Sequence, residues 1–100
     1  MTLYRHGDVL LSTVGQLPEA AVPQQSHVLV RGEATGHAHR IEDPRAAQMF
    51  RHEGTLYLRV LADTASLVHE EHATIVLSRG DYRVWQQREY SPAAIRTVVD

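Results

Sequence analysis

The sequence predicts an all-β protein, a small barrel or sandwich of about seven or eight short strands with at most one short helical turn near the C-terminus. Apolar runs are short and are either rich in β-branched residues or alternate with polar ones, and turn signals interrupt them roughly every 8 to 12 residues. Length is the third observation. One hundred residues make one small domain, and no internal repeat, low-complexity tract or linker divides residues 1–100.

Val9 to Val14 is apolar and ends at Gly15, as a buried strand does, with Gly7-Asp8-Val9 as the turn leading into it. Leu17 to Gln25 carries Pro18 and Pro23 and reads as a loop. His27 to Arg31 alternates around Val28 and Val30 and is closed by Gly32. His37 to Glu42 is the next strand, and period-two geometry places His37, His39 and Ile41 on one face and Ala38, Arg40 and Glu42 on the other. Asp43-Pro44 stops it. Ala47 to Arg51 and Thr55 to Leu61 flank Glu53-Gly54, a hairpin signal. In the second arm Leu56, Leu58 and Val60 alternate with Tyr57 and Arg59. Residues 64–68 form a short strand, Ala73 to Ser78 another, Gly80-Asp81 a turn, and Tyr82 to Arg88 a strand with Val84 and Trp85 on opposite faces. Ser91-Pro92 resembles an N-cap followed by a first-turn proline, which places a helical turn over residues 92–96.

Composition excludes several kinds of chemistry. There is no cysteine, which removes disulfides, thiolate catalysis and cysteine-ligated zinc, so a metal would have to be held by imidazole and carboxylate. A core built from 43% hydrophobic residues is thin for enclosing a deep cavity, which favours a groove or a site completed by a second copy. The net charge of −2 argues against duplex nucleic acid as a partner. No run approaches a membrane span, and Met1 to His6 lacks the apolar core of a signal peptide, so a cytoplasmic protein is expected.

Four of the seven histidines form two close pairs, His37 with His39 and His69 with His72. Histidine transfers protons near neutrality and is the commonest metal ligand. His6, His27 and His52 stand apart beside turn residues and read as turn caps or backbone partners. Glu70 and Glu71 read as solvated or as partners that orient a histidine. As a metal set, His37-Ala38-His39 plus a later histidine is comparable with the cupin pattern. The match is partial: Gly32 is one position too close to His37, Asp43 is the candidate acid, and no histidine follows Gly80. His69-Glu70-Glu71-His72 differs from the zinc-protease motif, whose histidines lie four apart on a helix. Residues three apart face one site only in a turn or helix.

As an acid–base set, the histidines suit cleavage of an RNA phosphodiester by its own 2′-hydroxyl, which needs a base, an acid and charge around the phosphate, and no cofactor. His37 or His39 would serve at one end and His69 or His72 at the other. Arg40, Arg59 and Arg83 are the phosphate candidates. Tyr57, with Tyr82 and Trp85, is a candidate for stacking on unpaired bases, although Tyr57 and Trp85 also suit packing. A non-catalytic nucleotide- or protein-binding module is the reading from a different class.

Gly7-Asp8-Val9-Leu10-Leu11, the longer run Gly32 to Arg40, the His69 to His72 pair, and Gln87-Arg88-Glu89-Tyr90 together resemble a small bacterial and mobile-element family of about this length. Gly32 to Arg40 is the most specific part, and the resemblance covers most of the chain. It implies likeness to homodimeric ring nucleases that degrade the cyclic oligoadenylate messengers of type III CRISPR systems. The implied partner is a small cyclic or single-stranded RNA, with no membrane. The expected picture is a His37/His39 strand face and a His69/His72 turn that meet when two chains come together.

Overall fold

A computed structural model of the chain describes residues 2–32, 36–90 and 95–97. Gly7, at φ 62°, opens a two-residue turn between β1 (Leu3–His6) and β2 (Val9–Val14), with His6 opposite Val9. Glycine at the first central position is what a type II′ hairpin requires. Then come β3 (Val22–Gln24), β4 (Val28–Arg31) and β5 (Ala38–Ile41). β6 (Ala47–His52) runs into β7 (Thr55–Val68) through Glu53 and Gly54, at φ 49° and 79°. Two positive φ values in succession make the type I′ turn expected at this hairpin. β8 (Ile75–Gln86) completes an eight-stranded sheet in which every pairing among the described residues is antiparallel, while β9 (Arg88–Tyr90) and β10 (Ile95–Thr97) pair with each other.

The longest strands differ from expectation. β7 is one strand of 14 residues rather than two, and β8 runs 12 residues straight through Gly80-Asp81. The reason is a bulge. Val60 faces Gly80 and Thr64 faces Ser78, so residues 61–63 of β7 oppose Arg79 alone. Extra residues on one strand bend the pair and sharpen its twist. Gly80 takes a φ of 142° there, a conformation that other residues rarely adopt. The carbonyl of Ala46 accepts the N–H groups of Leu61 (2.8 Å) and Ala62 (3.2 Å), which satisfies amides that the bulge removes from the ladder.

The bend turns one sheet into two facing layers. Residues 55–60 of β7 pair with β6, and the far half of β8 pairs with β2, giving a layer of β3, β6, β7, β8, β2 and β1. Beyond the bulge, Leu67 and Val68 pair with β5, which pairs with β4. The core lies between: Val9, Leu11, Met49, Leu56, Leu58, Val60, Tyr82 and Val84 from one layer pack with Leu29, Ile41, Ala65, Leu67 and Leu77 from the other. The sheet does not close into a barrel, and the fold is sandwich-like. Tyr82 is buried in this core, and its hydroxyl donates to the Ser78 carbonyl at 2.6 Å. Burial, with Tyr4 beside it, pushes its ionisation up to about 12.

The main sheet has eight strands, as expected, and among the described residues β9 and β10 add a separate pair. β1 was not anticipated, and β3 occupies part of the expected loop Leu17 to Gln25. β3 tolerates Pro23 because its only sheet partner is β6, leaving an edge where a missing N–H costs no ladder bond. Of the expected helical turn over 92–96, residues 92–94 lie outside the described residues, and Ile95 and Arg96 belong to β10. Among the described residues no helix is long and apolar enough to cross a membrane.

A Cβ at Gly80 would meet nothing within 4 Å, so substitution there tests backbone strain alone. Gly80→Ala is expected to destabilise the protein by about 1–2 kcal/mol in denaturant unfolding. Gly15→Ala, equally open but without a positive φ, should be neutral or stabilising by less than about 1 kcal/mol.

Candidate metal centre

The bend brings the tip of the β7–β8 hairpin over the β1–β2 turn, and the histidines gather there. His6 ends β1 and points inward with 2% of its surface exposed; His39 in β5 is wholly buried. His69 and His72 lie in the bend between β7 and β8. Ring centroids are 4.9 Å apart for His6–His39, 4.3 Å for His39–His69, 5.7 Å for His39–His72 and 4.6 Å for His69–His72. His37, half-buried, adds a fifth ring 5.5 Å from His69. Asp8, 1% exposed, stands behind His39 with Oδ1 3.3 Å from Nε2, and its Oδ2 accepts the amide of Gln86.

Proton counting shows what this arrangement demands. His6 Nε2 lies 2.9 Å from the Ala73 carbonyl, which only accepts, so that nitrogen carries hydrogen. His6 Nδ1 lies 2.9 Å from His39 Nδ1, where two lone pairs would repel, so a proton sits between them. Asp8 Oδ1 has no hydrogen-bond partner among the described residues, and its 3.3 Å approach to His39 Nε2 would be satisfied by another proton, on that nitrogen. These contacts need three protons, and two neutral imidazoles hold two. Burial, then the positive charge of His39 when protonated, lowers the pKa of His6 to about 4, so near neutrality His6 presents Nδ1 as a lone pair. The network is therefore completed by one added positive charge, from a proton or from a cation on His39.

The ligand atoms of His39, His69 and His72 all lie within 4.8 Å of one another, and so do those of His37, His69 and Glu70. Around tetrahedral zinc, nitrogens at about 2.0–2.1 Å stand roughly 3.3 Å apart, so the inner set needs only modest side-chain rotation to close. His72 Nε2 is buried and has no hydrogen-bond partner among the described residues. His69 Nδ1 accepts the backbone N–H of Glu71 at 3.0 Å, so a metal at Nε2 of this ring would require the hydrogen to move to Nδ1 and this bond to be given up. Glu70 borders the set: Oε1 accepts the Ala38 N–H at 2.9 Å and Oε2 meets Arg40 Nη1 at 2.8 Å. Backbone N–H groups, the one at Ala38 foremost, and Arg40 hold the Glu70 carboxyl at about 2. Glu71 Oε1 lies 3.6 Å from His37 Nδ1.

All four expected histidines are thus together within one chain, which corrects the picture of two pairs meeting only across a dimer. The turn between β7 and β8 lets His69 and His72 face one point despite their spacing. Two site residues were misread. His6 does bond backbone, but as a buried member of the cluster, and Asp8 supports His39 rather than serving only in a turn. The pattern Tyr4-Arg5-His6-Gly7-Asp8-Val9 carries the missed signal: strand, type II′ turn, strand, with Tyr4 and His6 on one face. The four expected substrate-binding residues do not converge. Arg40 is at the cluster. Tyr57 and Arg59 alternate with the core residues of β7 and face outward, Arg59 donating to Asp81 at 2.9 Å. Arg83 is exposed opposite Tyr57 and stacks on Trp85 at 4.9 Å.

Fold and site define an all-β, sandwich-like domain with a buried histidine cluster. The chain belongs to the family described as Domain of unknown function (DUF8820), whose model matches residues 5–87. No curated protein and no solved structure matches it.

The His6 pKa fixes the sign of a pH effect. Because the folded value lies below the ordinary 6.5, the unfolded chain takes the proton first. Metal-free protein should lose stability as pH falls from 6.5 toward 4, by up to about 3 kcal/mol from this residue. Comparing unfolding midpoints of the parent and His6→Asn over that range checks it: the variant's pH dependence should be shallower.

Proposed function

We propose that this domain is a metalloprotein of catalytic type, holding one divalent transition-metal ion on His39, His69 and His72. The carrying observation is the inner set itself: three imidazoles within ligand distance of one another, two of them buried, with a buried carboxylate on the far nitrogen of His39. A carboxylate behind a ligating histidine is the usual support of such centres, because it fixes the ring and raises its basicity. Asp8 near Nε2 leaves Nδ1 as the ligand atom of His39, and an ion there would take the place of the proton shared with His6 Nδ1, 2.9 Å away, so His6 either joins as a further nitrogen or turns aside. Neutral imidazoles suit zinc, copper, iron or nickel rather than magnesium or calcium. Three protein ligands leave a coordination position, where a bound ion supplies Lewis acidity and lowers the pKa of water. His37, Glu70 and Glu71 stand beside the histidines and can orient a substrate or take up a proton, while Arg40 holds Glu70.

Metal-free acid–base cleavage of cyclic oligoadenylate draws less support from this geometry. His39 and His69 are closed off from solvent, His6 is held neutral, and Arg40 is already paired with Glu70. A scissile phosphate would need two histidines open to it from opposite sides.

Tag-free protein dialysed against zinc or cobalt(II) should retain about one ion per chain, and His72→Ala should abolish stoichiometric retention. Asp8→Asn should keep the stoichiometry and weaken affinity by about 10–100-fold. Retention of no ion by correctly folded parent protein would sink the proposal.

A further inference from the structure

The histidine cluster holds two ligand sets that share one ring. Ligand atoms of His37, His69 and Glu70 lie within 4.8 Å of one another, as do those of His39, His69 and His72. A neutral imidazole offers one lone pair, so His69 serves one ion at a time. The two sets are therefore alternative positions for a single ion, not halves of a binuclear centre.

The positions differ in how they meet solvent. His39 is wholly buried, His69 nearly so, and the Nε2 atom of His72 is buried as well. In the outer set the side chain of His37 is 27% exposed and that of Glu70 40% exposed. Carrying a bare cation into the buried set is costly unless ligands replace its water step by step. The outer set stands where that exchange can begin, and it already includes a ligand of the inner one.

They differ also in strength. An ionised carboxylate has about four lone-pair sites, of which the Ala38 N–H, the backbone N–H of Glu70 itself and Arg40 engage three. One remains for an ion. Glu71 Oε1, 3.6 Å from His37 Nδ1, brings a second carboxylate to this rim, so Glu70, Glu71 and Arg40 together leave it net negative and attractive to a cation. Arg40, 2.8 Å from Glu70 Oε2, nevertheless repels an ion seated on that carboxylate. The outer set thus captures an ion and holds it less firmly than three imidazoles do, as suits a position the ion must leave.

We infer that His37, Glu70 and His69 form the loading position of the metal centre, where an incoming divalent ion binds before His39 and His72 replace His37 and Glu70 around it. His69 stays on the ion throughout. The inference rests on the metal reading above and adds the route by which the buried set is filled and emptied.

Cobalt(II) is mixed with metal-free, tag-free protein and its visible absorption is followed during uptake; release is then followed in excess EDTA. Glu70→Gln keeps an oxygen for the Ala38 N–H, and His37→Gln alters a side chain that is partly exposed. Each should slow uptake and release together, at least about tenfold, with one ion per chain still bound at unchanged affinity. A ligand of the resting position would behave differently: its loss would weaken affinity through faster release. Glu19→Gln, which removes an exposed carboxylate outside the cluster, should load at the parent rate. Parent-rate uptake by either folded variant, weaker affinity through faster release, or two ions per chain overturns the inference. No retention by folded parent protein removes the metal reading and this inference with it, whereas one retained ion with unchanged rates in the variants removes this inference alone.

Discussion

The two imidazole nitrogens that meet 2.9 Å apart, His6 Nδ1 and His39 Nδ1, join parts of the sheet that share no backbone ladder. β1 ends the strand order and β5 stands four places along it, with β2, β8 and β7 between them. They come face to face because the β7–β8 hairpin bends at residues 61–63 and lays its tip over the β1–β2 turn. The Ala73 carbonyl, accepting from His6, and Asp8, facing His39, anchor the contact at both ends. A small sandwich would more simply close this end with apolar side chains. Burying a polar chain instead carries a desolvation cost that is offset only when every group is satisfied, and satisfaction here requires one added positive charge.

That requirement links folding to chemistry. A proton can meet it, but His6 is a poor host for one, since burial and neighbouring imidazoles hold its pKa at about 4. An ion on His39 meets it while drawing on His69 and His72, which the same hairpin tip presents. The residues that hold the layers together are thus the residues proposed to hold the ion, and the carboxylate beside His39 comes from the turn opposite. Gln86, donating to Asp8, extends this run of contacts into β8.

Local chemistry made much of this legible in the sequence. The Glu53-Gly54 turn, the alternation of Leu56, Leu58 and Val60, the strands around Val28 and Arg40, and the two histidine pairs all depend on neighbours a few residues away. The rest depends on distant partners. Gly80-Asp81 carries a turn's composition, yet the ladder with residues 56–67 of β7 carries β8 through it as a bulge. His6 reads as an isolated histidine because its partners, His39 and Ala73, lie 33 and 67 residues away. Asp8 reads as a turn residue because it is one, and its second role appears only when the hairpin tip covers that turn. Alternation in the sequence puts Tyr57 and Arg59 on the face away from the core, as the structure has them, but it carries no information that this face lies away from the histidines.

X-ray absorption at the zinc edge of the loaded, tag-free protein tests the central claim most directly. Three imidazole nitrogens at about 2.0–2.1 Å, with the outer-shell scattering of the rings, are predicted. A first shell of oxygen alone, or one unchanged when His39 and His72 are replaced by alanine, would contradict it.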